Sequence, residues 1–91
     1  MVFELVYHPD VRKDIARLDD RLKRRIKTAI ENRLTVAPHR YGEPLRKTLK
    51  GYPKLRARDY RVVFKISGNE VLILGIIHRK DVYEKVGKRM G

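Results

Sequence analysis

The sequence predicts an α+β fold in which an antiparallel four-stranded sheet carries helices on one face. Two patterns lead to this prediction: apolar residues recur at helical spacing through residues 11–34, and they alternate with strand period through residues 54–66. Helices followed by a run of strands favour α+β over alternating βαβ units. The 91 residues suit one domain with a modest core. We therefore expect a single domain, residues 1–91, with an N-terminal αα-hairpin and a short C-terminal helix.

The first strand and both helices of the hairpin are predicted from residues 2–36. Residues 2–7 form a β-branched and aromatic run typical of a strand. Pro9 and Asp10 suit the first turn of a helix, and Asp19 and Asp20 mark a break and an N-cap before the second helix. Pro38 cannot continue that second helix, which should end before it. Its apolar stripe consists of Leu22, Ile26, Ala29, Ile30 and Leu34.

Three strands and a final helix follow a long connection. Residues 39–53 contain glycine and proline repeatedly, so they read as a loop with a possible ordered piece at 45–49. Residues 54–58 alternate basic and apolar side chains, and residues 62–66 continue as a second strand. A Gly-containing connection at 67–69 leads to 71–77, which is apolar on both faces and should be a central strand. Two valines four residues apart then predict a short helix that ends at Gly87.

The charge of the chain limits its partners. Lys and Arg number 23 against 11 Asp and Glu, a formal net charge of +12, which favours a nucleic acid, an acidic protein or an anionic membrane. The membrane is the weakest of these, since no apolar run approaches the roughly 18 residues that span a bilayer. The absence of Cys excludes disulfides and thiolate metal sites. No leader pattern is visible, so we expect a cytoplasmic protein.

Three local motifs carry a resemblance to a known family. Residues 45–51 contain Leu-Arg and then Leu-Lys-Gly, residues 56–64 read Arg-Ala-Arg-Asp-Tyr-Arg-Val-Val-Phe, and residues 77–83 read Ile-His-Arg-Lys-Asp-Val-Tyr. In this order, over nearly the whole chain, they resemble the RelE/ParE superfamily, the toxins of type II toxin–antitoxin pairs. Members of the RelE branch cleave mRNA in the ribosomal A site, whereas ParE proteins share the fold, poison DNA gyrase and lack ribonuclease chemistry. The resemblance implies a cognate acidic, RelB-like antitoxin, the ribosome and mRNA as partners, with no membrane partner, metal or cofactor.

The resemblance also implies a catalytic set. Metal-free RNA cleavage needs a base for the 2′-OH, cations for the phosphorane and an acid for the leaving 5′-oxygen. Arg61 would stabilise the phosphate, Arg79 would act as a second clamp, and Tyr83 would stack on a base or orient the 2′-OH. Lys54 would be the base if neighbouring cations lower its pKa from about 10.4, and His78 is the alternative with an ordinary pKa suited to proton transfer. Both arginines are expected outside the core.

Further cations are candidates for RNA binding, namely Arg46, Lys50, Arg56, Arg58 and Lys80. RelE toxins often carry a second lysine two residues before the position of Lys54, where this chain has Tyr52, which leaves the identity of the base open. Each candidate has a structural alternative: a solvated strand face for the strand cations, a ring packed on the sheet for Tyr83, and a strand-end histidine for His78. The helical cations suit ribosomal RNA or solubility. A gyrase-binding protein and a non-catalytic RNA-binding module are therefore the competing hypotheses.

Overall fold

The computed structural model describes residues 2–44 and 52–90. The strands are β1 (Glu4–Tyr7), β2 (Glu43–Pro44), β3 (Pro53–Ala57), β4 (Tyr60–Ser67) and β5 (Glu70–His78). The helices are α1 (Val11–Ala16), α2 (Asp20–Ala29) with a π-helical continuation (Ile30–Leu34), α3 (Pro38–Tyr41) and α4 (Val82–Met90). The α+β class, the helical hairpin and the C-terminal helix are confirmed, but α4 continues through Gly87 to Met90, so the predicted end at Gly87 is wrong. No helix in the described part of the chain is long and apolar enough to cross a membrane.

The strands form one sheet in the order β1-β5-β4-β3-β2. The pairs β2–β3, β3–β4 and β4–β5 are antiparallel, but β1 runs parallel to β5, so the expectation of a wholly antiparallel sheet is wrong at this edge. The reason is the connection: β1 leaves the sheet through helices and not through a hairpin, so a tight turn does not impose its direction. The two-residue strand β2 was also not predicted.

The start and end of α2 follow from local chemistry. The Asp19 side chain accepts a hydrogen bond of 2.8 Å from the Leu22 N–H and caps the helix, as predicted. The helix does not continue regularly, because its last turn is π-helical. Ile26, Ile30 and Leu34 stand four residues apart, a spacing that drifts around a regular α-helix. The wider turn keeps all three buried, at 2%, 2% and 0% exposure.

The core lies on both faces of the sheet. On one face α1 and α2 pack against alternate residues of the strands, with Phe64 and Ile73 fully buried between them. On the opposite face Val82 and Val86 of α4 pack on a second cluster that includes Val63. Strand β5 is therefore covered on both sides, as its continuous apolar run predicts.

A buried ion pair hydrogen-bonds to backbone groups of β5 that are not paired with β1. Strand β1 pairs with β5 only as far as Ile73. Beyond that point Asp14 accepts a hydrogen bond of 3.0 Å from the Ile76 N–H, and Arg89 donates one of 3.0 Å to the Leu74 carbonyl. The two side chains also bind each other through two hydrogen bonds of 2.7 and 2.8 Å. Helices α1 and α4 are thus joined where strand pairing stops.

Replacing Gly75 by alanine should destabilise the protein by about 1–3 kcal/mol, the usual cost of overpacking. A Cβ at this position would lie 2.6 Å from Nη1 of Arg89 and 2.7 Å from Cδ1 of Ile77, so the guanidinium would have to move. Urea unfolding measures the change. Gly87→Ala is the matched control on α4, since a Cβ there meets nothing within 4 Å and alanine favours the helix. Equal stability of Gly75→Ala and the wild type would contradict the close approach.

Candidate functional site

The strand register brings several cations onto one side of the sheet. Lys54 pairs with Val63, and Arg56 pairs with Arg61. Paired residues point to the same side, and Val63 belongs to the core beneath α4, so these cations lie on the α4 side of the sheet. Lys65 follows Arg61 by four residues on β4 and shares that side. We call Lys54, Arg56, Arg61 and Lys65 the cationic face.

The cationic face is partly open to solvent. Arg56 and Lys65 are exposed and Lys54 is half-buried. The Lys65 ammonium lies 5.9 Å from the ring centre of Tyr52, a cation–π contact that keeps an aromatic ring among the charges. Strands β3 and β4 contain no carboxylate to neutralise them. The arrangement suits an anionic ligand with planar bases, and it includes Lys65, which strand parity alone could have assigned to the site from the sequence.

Arg61 is more buried than the sequence suggests. Its exposure is 8%, so the expectation that it lies outside the core is wrong. Nη1 donates a hydrogen bond of 2.8 Å to the carbonyl of Arg58, in the turn between β3 and β4, and one of 2.9 Å to the carbonyl of Tyr60, the first residue of β4. These two carbonyls satisfy part of the hydrogen-bonding capacity of the guanidinium, so the side chain can be buried. Arg61 therefore holds the turn in place in addition to contributing charge.

Arg58 lies in that turn and not on the strand. Strand β3 ends at Ala57, and Arg58 has a φ of 56°, in the left-handed region that non-glycine residues rarely adopt. Arg79, which follows β5, reaches the same end of the sheet. Its backbone N–H donates a hydrogen bond of 2.8 Å to the Asp59 carbonyl, and its Nε lies 3.8 Å from the Asp59 carboxylate. Both side chains are exposed, so this ion pair is weak.

His78 lies on the other side of the sheet, away from Lys54 and Arg61. It pairs with Tyr60, which packs in the core beneath the helical hairpin, and the two rings meet edge to face at 5.5 Å. Its Nδ1 accepts a hydrogen bond of 3.2 Å from the Lys80 N–H. The structure therefore separates the two candidate bases. Of the two candidates, only Lys54 shares a face with Arg61, which follows from the pairing of His78 with Tyr60 and of Arg61 with Ile77.

The remaining candidates lie around α4 or outside the described residues. Tyr83 is on α4, next to the buried Val82, and 41% of it is exposed. Lys80 is exposed in the turn before α4. Arg46 and Lys50 lie outside the described residues, so their positions relative to the cationic face stay a prediction. The sequence did not predict the link between Asp14 and Arg89, because the two residues are 75 positions apart.

Comparison with known proteins places the chain in a family. Residues 5–83 match the family described as ParE toxin of type II toxin-antitoxin system, parDE. The chain belongs to this family of toxins, within the RelE/ParE superfamily.

Two toxins of Mycobacterium tuberculosis are similar to the chain in sequence. It is 29% identical over 87 residues to toxin RelG, a match that covers 93% of this chain and 100% of that protein. It is 34% identical over 73 residues to toxin RelE of the same organism, covering 78% and 75%. The fold is also similar to the crystal structure of the M. tuberculosis toxin–antitoxin complex RelBE2, with a TM-score of 0.74, 27% identity and coverage of 87% and 100%. The chromosomal ParDE system of P. aeruginosa, at 18% identity and a TM-score of 0.70, covers 85% and 96% and shares the fold.

Proposed function

We propose that this toxin is a ribosome-dependent mRNA endonuclease of the RelE type, which acts in the cytoplasm, cleaves mRNA in the A site and so inhibits translation. The observation that carries the proposal is the cationic face, where four cations from β3 and β4 share one partly open side of the sheet with no carboxylate on either strand. A phosphodiester in the course of cleavage is an anion of increasing charge, and preorganised cations stabilise it.

The chemistry assigned to this face is an intramolecular transesterification of the RNA phosphodiester. The 2′-oxygen of the mRNA attacks the adjacent phosphorus while the bond from phosphorus to the 5′-oxygen breaks, and the leaving 5′-oxygen takes a proton from water, which gives a 2′,3′-cyclic phosphate and a 5′-hydroxyl. Lys54, in its neutral form, would take the 2′-OH proton, and Arg61 would donate to the phosphorane oxygens. Arg79 would act as a second clamp, and Tyr83 would stack on a base or orient the hydroxyl. The ribosome would hold the mRNA in the in-line geometry that this site does not impose alone.

A second function is favoured by two observations. The matching family is that of ParE toxins, and His78 lies on the face away from Lys54 and Arg61. In the described part of the chain, the side of the sheet that carries Lys54 and Arg61 thus lacks an imidazole, the side chain most often used for proton transfer. A ParE-like protein that binds DNA gyrase without catalysis is the alternative.

One experiment separates the two functions. Purified toxin is added to ribosomes translating a defined mRNA and to the same mRNA without ribosomes, and cleavage is mapped by primer extension. Gyrase supercoiling is measured in parallel. We expect cuts on ribosome-bound mRNA, 2′,3′-cyclic phosphate ends, slow cutting of naked RNA and unchanged supercoiling. Inhibition of gyrase with intact mRNA would replace the proposal by the alternative, and rapid cutting of naked RNA would contradict the role given to the ribosome.

An acidic, RelB-like antitoxin would bind the helical hairpin. An apolar groove of about 360 Å³ lies there, with Ile15, Leu18 and Ile26 in its lining and Lys23 and Lys27 beside them. This combination fits the apolar side of an acidic segment. Tyr7 also lines the groove, and burial, with a smaller effect of the Glu31 carboxylate, raises the pKa of its hydroxyl. The phenol therefore stays protonated at neutral pH and can donate a hydrogen bond to the partner.

The complex with the antitoxin should dissociate faster as salt is raised. Screening weakens attraction between exposed charges, and the Debye length falls from about 10 Å at 0.1 M to about 3 Å at 1 M. Surface plasmon resonance over this range measures the off-rate. Lys23→Gln combined with Lys27→Gln should flatten the dependence, whereas Lys13→Gln, an exposed change on α1, should leave it unchanged. An off-rate independent of salt for the wild type would exclude an electrostatic partner at this groove.

A further inference from the structure

The outer side of α2 carries a second group of cations, on the opposite side of the sheet from the cationic face. They lie in an open groove of about 540 Å³, with Thr28, Ala29 and Asn32 between them. The first and the last of them are 12 positions apart, roughly 18 Å at the rise of an α-helix. We call these residues the arginine stripe: Arg21, Arg24, Arg25 and Arg33.

The lysines and arginines of this helix have different partners. Lys23 lies 3.9 Å from the Asp20 carboxylate, and Lys27 lies 3.9 Å from that of Glu31. By contrast, within residues 2–44 and 52–90 no carboxylate forms an ion pair with an arginine of the stripe. Arg33 instead lies 5.5 Å from the ring centre of Tyr41. Asp20 and Glu31 thus pair with lysines, Asp19 caps the helix, and the arginines of the stripe are left to external anions.

We propose that the arginine stripe binds the backbone phosphates of double-helical RNA, as a docking surface separate from the cleavage site. A guanidinium matches a phosphate through two parallel hydrogen bonds, which an ammonium cannot do. Thr28 and Asn32, exposed between the arginines, add neutral donors of the kind that contact phosphate and ribose. Under the proposed function, on which the inference rests, this RNA belongs to the ribosome.

The composition of the stripe favours RNA over an acidic protein. A protein interface needs an apolar centre, and among the described residues Ala29 is the one apolar residue that lines this groove. The apolar groove that fits a protein lies on the other edge of the same helix, with Lys23 and Lys27 beside it. Helix α2 therefore presents two different surfaces, one for a protein along its lysine edge and one for phosphates along its arginine edge. Duplex RNA is recognised chiefly through its shape and its phosphates, which suits a stripe of charge.

The test compares two double variants of α2 with equal loss of charge. Arg21→Gln with Arg24→Gln removes two cations of the stripe, and Lys23→Gln with Lys27→Gln is the matched control. All four side chains are exposed or half-buried, and glutamine favours a helix, so thermal melts followed by circular dichroism should match the wild type. Binding to a fluorescent RNA duplex of about 20 base pairs, long enough to span the stripe, is measured by anisotropy from about 50 to 200 mM salt. A DNA duplex of the same sequence and poly-L-glutamate are measured alongside.

The arginine variant should reduce the slope of log affinity against log salt by about 1.4–1.8, the effect of two lost phosphate contacts, and the lysine control by less than half of this. Equal changes in the two variants would overturn the proposal, as would a preference for the DNA duplex. A loss of poly-L-glutamate binding with RNA binding intact would assign the stripe to an acidic protein and also overturn it. This binding assay uses no ribosomes and does not measure cleavage, so it is independent of the primer-extension experiment on the proposed function. An unchanged salt slope together with normal mRNA cleavage in the primer-extension experiment would reject the role of the stripe alone. The expected salt slope together with no mRNA cleavage would reject the proposed enzyme alone.

Discussion

Arg61→Ala is expected to reduce cleavage of ribosome-bound mRNA by about 10²-fold or more, the loss seen when one fixed donor to a transition-state anion is removed. Arg61 is the guanidinium that the cationic face holds most firmly, because its Nη1 is fixed by the carbonyls of Arg58 and Tyr60. A donor that does not reorganise during the reaction contributes most to the rate. Single-turnover primer extension on stalled ribosomes measures the effect.

The same substitution should also lower stability. Removal of the guanidinium leaves the carbonyls of Arg58 and Tyr60 without this donor, at a cost of about 1–3 kcal/mol if neither carbonyl binds water instead. Arg79→Ala separates the two effects, since Arg79 is exposed and its ion pair with Asp59 is weak. It should lose a similar factor in cleavage with an unchanged urea midpoint. Full cleavage by both single variants would favour the gyrase-binding or the non-catalytic RNA-binding alternative.

Tyr83→Phe distinguishes the two roles proposed for that residue. The ring is retained and the hydroxyl is lost, so stacking predicts near-normal cleavage and orientation of the 2′-OH predicts a large loss. Tyr83 is 41% exposed, and the substitution should leave the fold intact. The same single-turnover assay gives the result. Normal cleavage would exclude the hydroxyl role, and a loss comparable to that of Arg79→Ala would exclude simple stacking.

The second large effect concerns stability. Asp14→Ala should destabilise the fold by about 3 kcal/mol or more, the usual cost of breaking a buried ion pair from one side. It leaves the Ile76 N–H and the Arg89 guanidinium, 11% exposed, without their carboxylate. Asp10, whose carboxylate lies 3.7 Å from Nε, remains as a weaker partner. The loss is a substantial part of the roughly 5–15 kcal/mol typical of a whole domain, and urea unfolding measures it.

An exposed ion pair on α4 provides the control for Asp14. Lys88 and Glu84 lie 3.6 Å apart with both side chains largely exposed, so Glu84→Ala should cost less than about 1 kcal/mol. An equal loss of unfolding free energy in Asp14→Ala and Glu84→Ala would contradict the proposal that the buried Asp14–Arg89 pair stabilises the edge of β5. The hydrogen bonds that the Arg89 guanidinium donates to the Asp14 carboxylate raise the pKa of Arg89, against the opposing effect of burial. Because the pKa of Arg89 is raised in the folded state, the stability it adds is fully present below the ordinary pKa of an arginine and is lost only as the pH rises through the raised one, so the arginine side of the pair persists through neutral pH.

Periodic patterns predicted the parts of the fold that depend on burial. The stripe that includes Ile26 and Ile30 is buried against the sheet, and the strand around Ile73 is covered on both faces. The direction of β1 was not predictable in this way, because its connection to the other strands runs through helices and not through a tight turn that would impose an antiparallel direction. The bond between Asp14 and Arg89 leaves no periodic signal either, since it depends on where β1 stops and how α4 returns to that edge.

The candidate site was predictable in composition more than in geometry. Lys54, Arg56 and Arg61 were recognised and Lys65 was not, and alternation places Lys54 and Arg56 on one side. Alternation along β5 relates His78 only to its neighbours on that strand. The register between β4 and β5 is needed to see that His78 points to the side opposite Arg61. The burial of Arg61 depends on the conformation of a two-residue turn that contains a positive φ at a non-glycine residue, which propensity does not predict.

The central claim is that the cationic face cleaves mRNA, and one comparison tests it most directly. Lys54→Gln with Arg56→Gln removes two cations of β3 that reach solvent, while Arg12→Gln with Lys13→Gln removes two exposed cations from α1. Both variants should keep the fold, and they have the same net charge. Single-turnover cleavage of ribosome-bound mRNA should fall by at least about 10²-fold in the first and stay within about twofold of wild type in the second. Equal rates in the two variants would place the chemistry, or the function itself, elsewhere on the molecule.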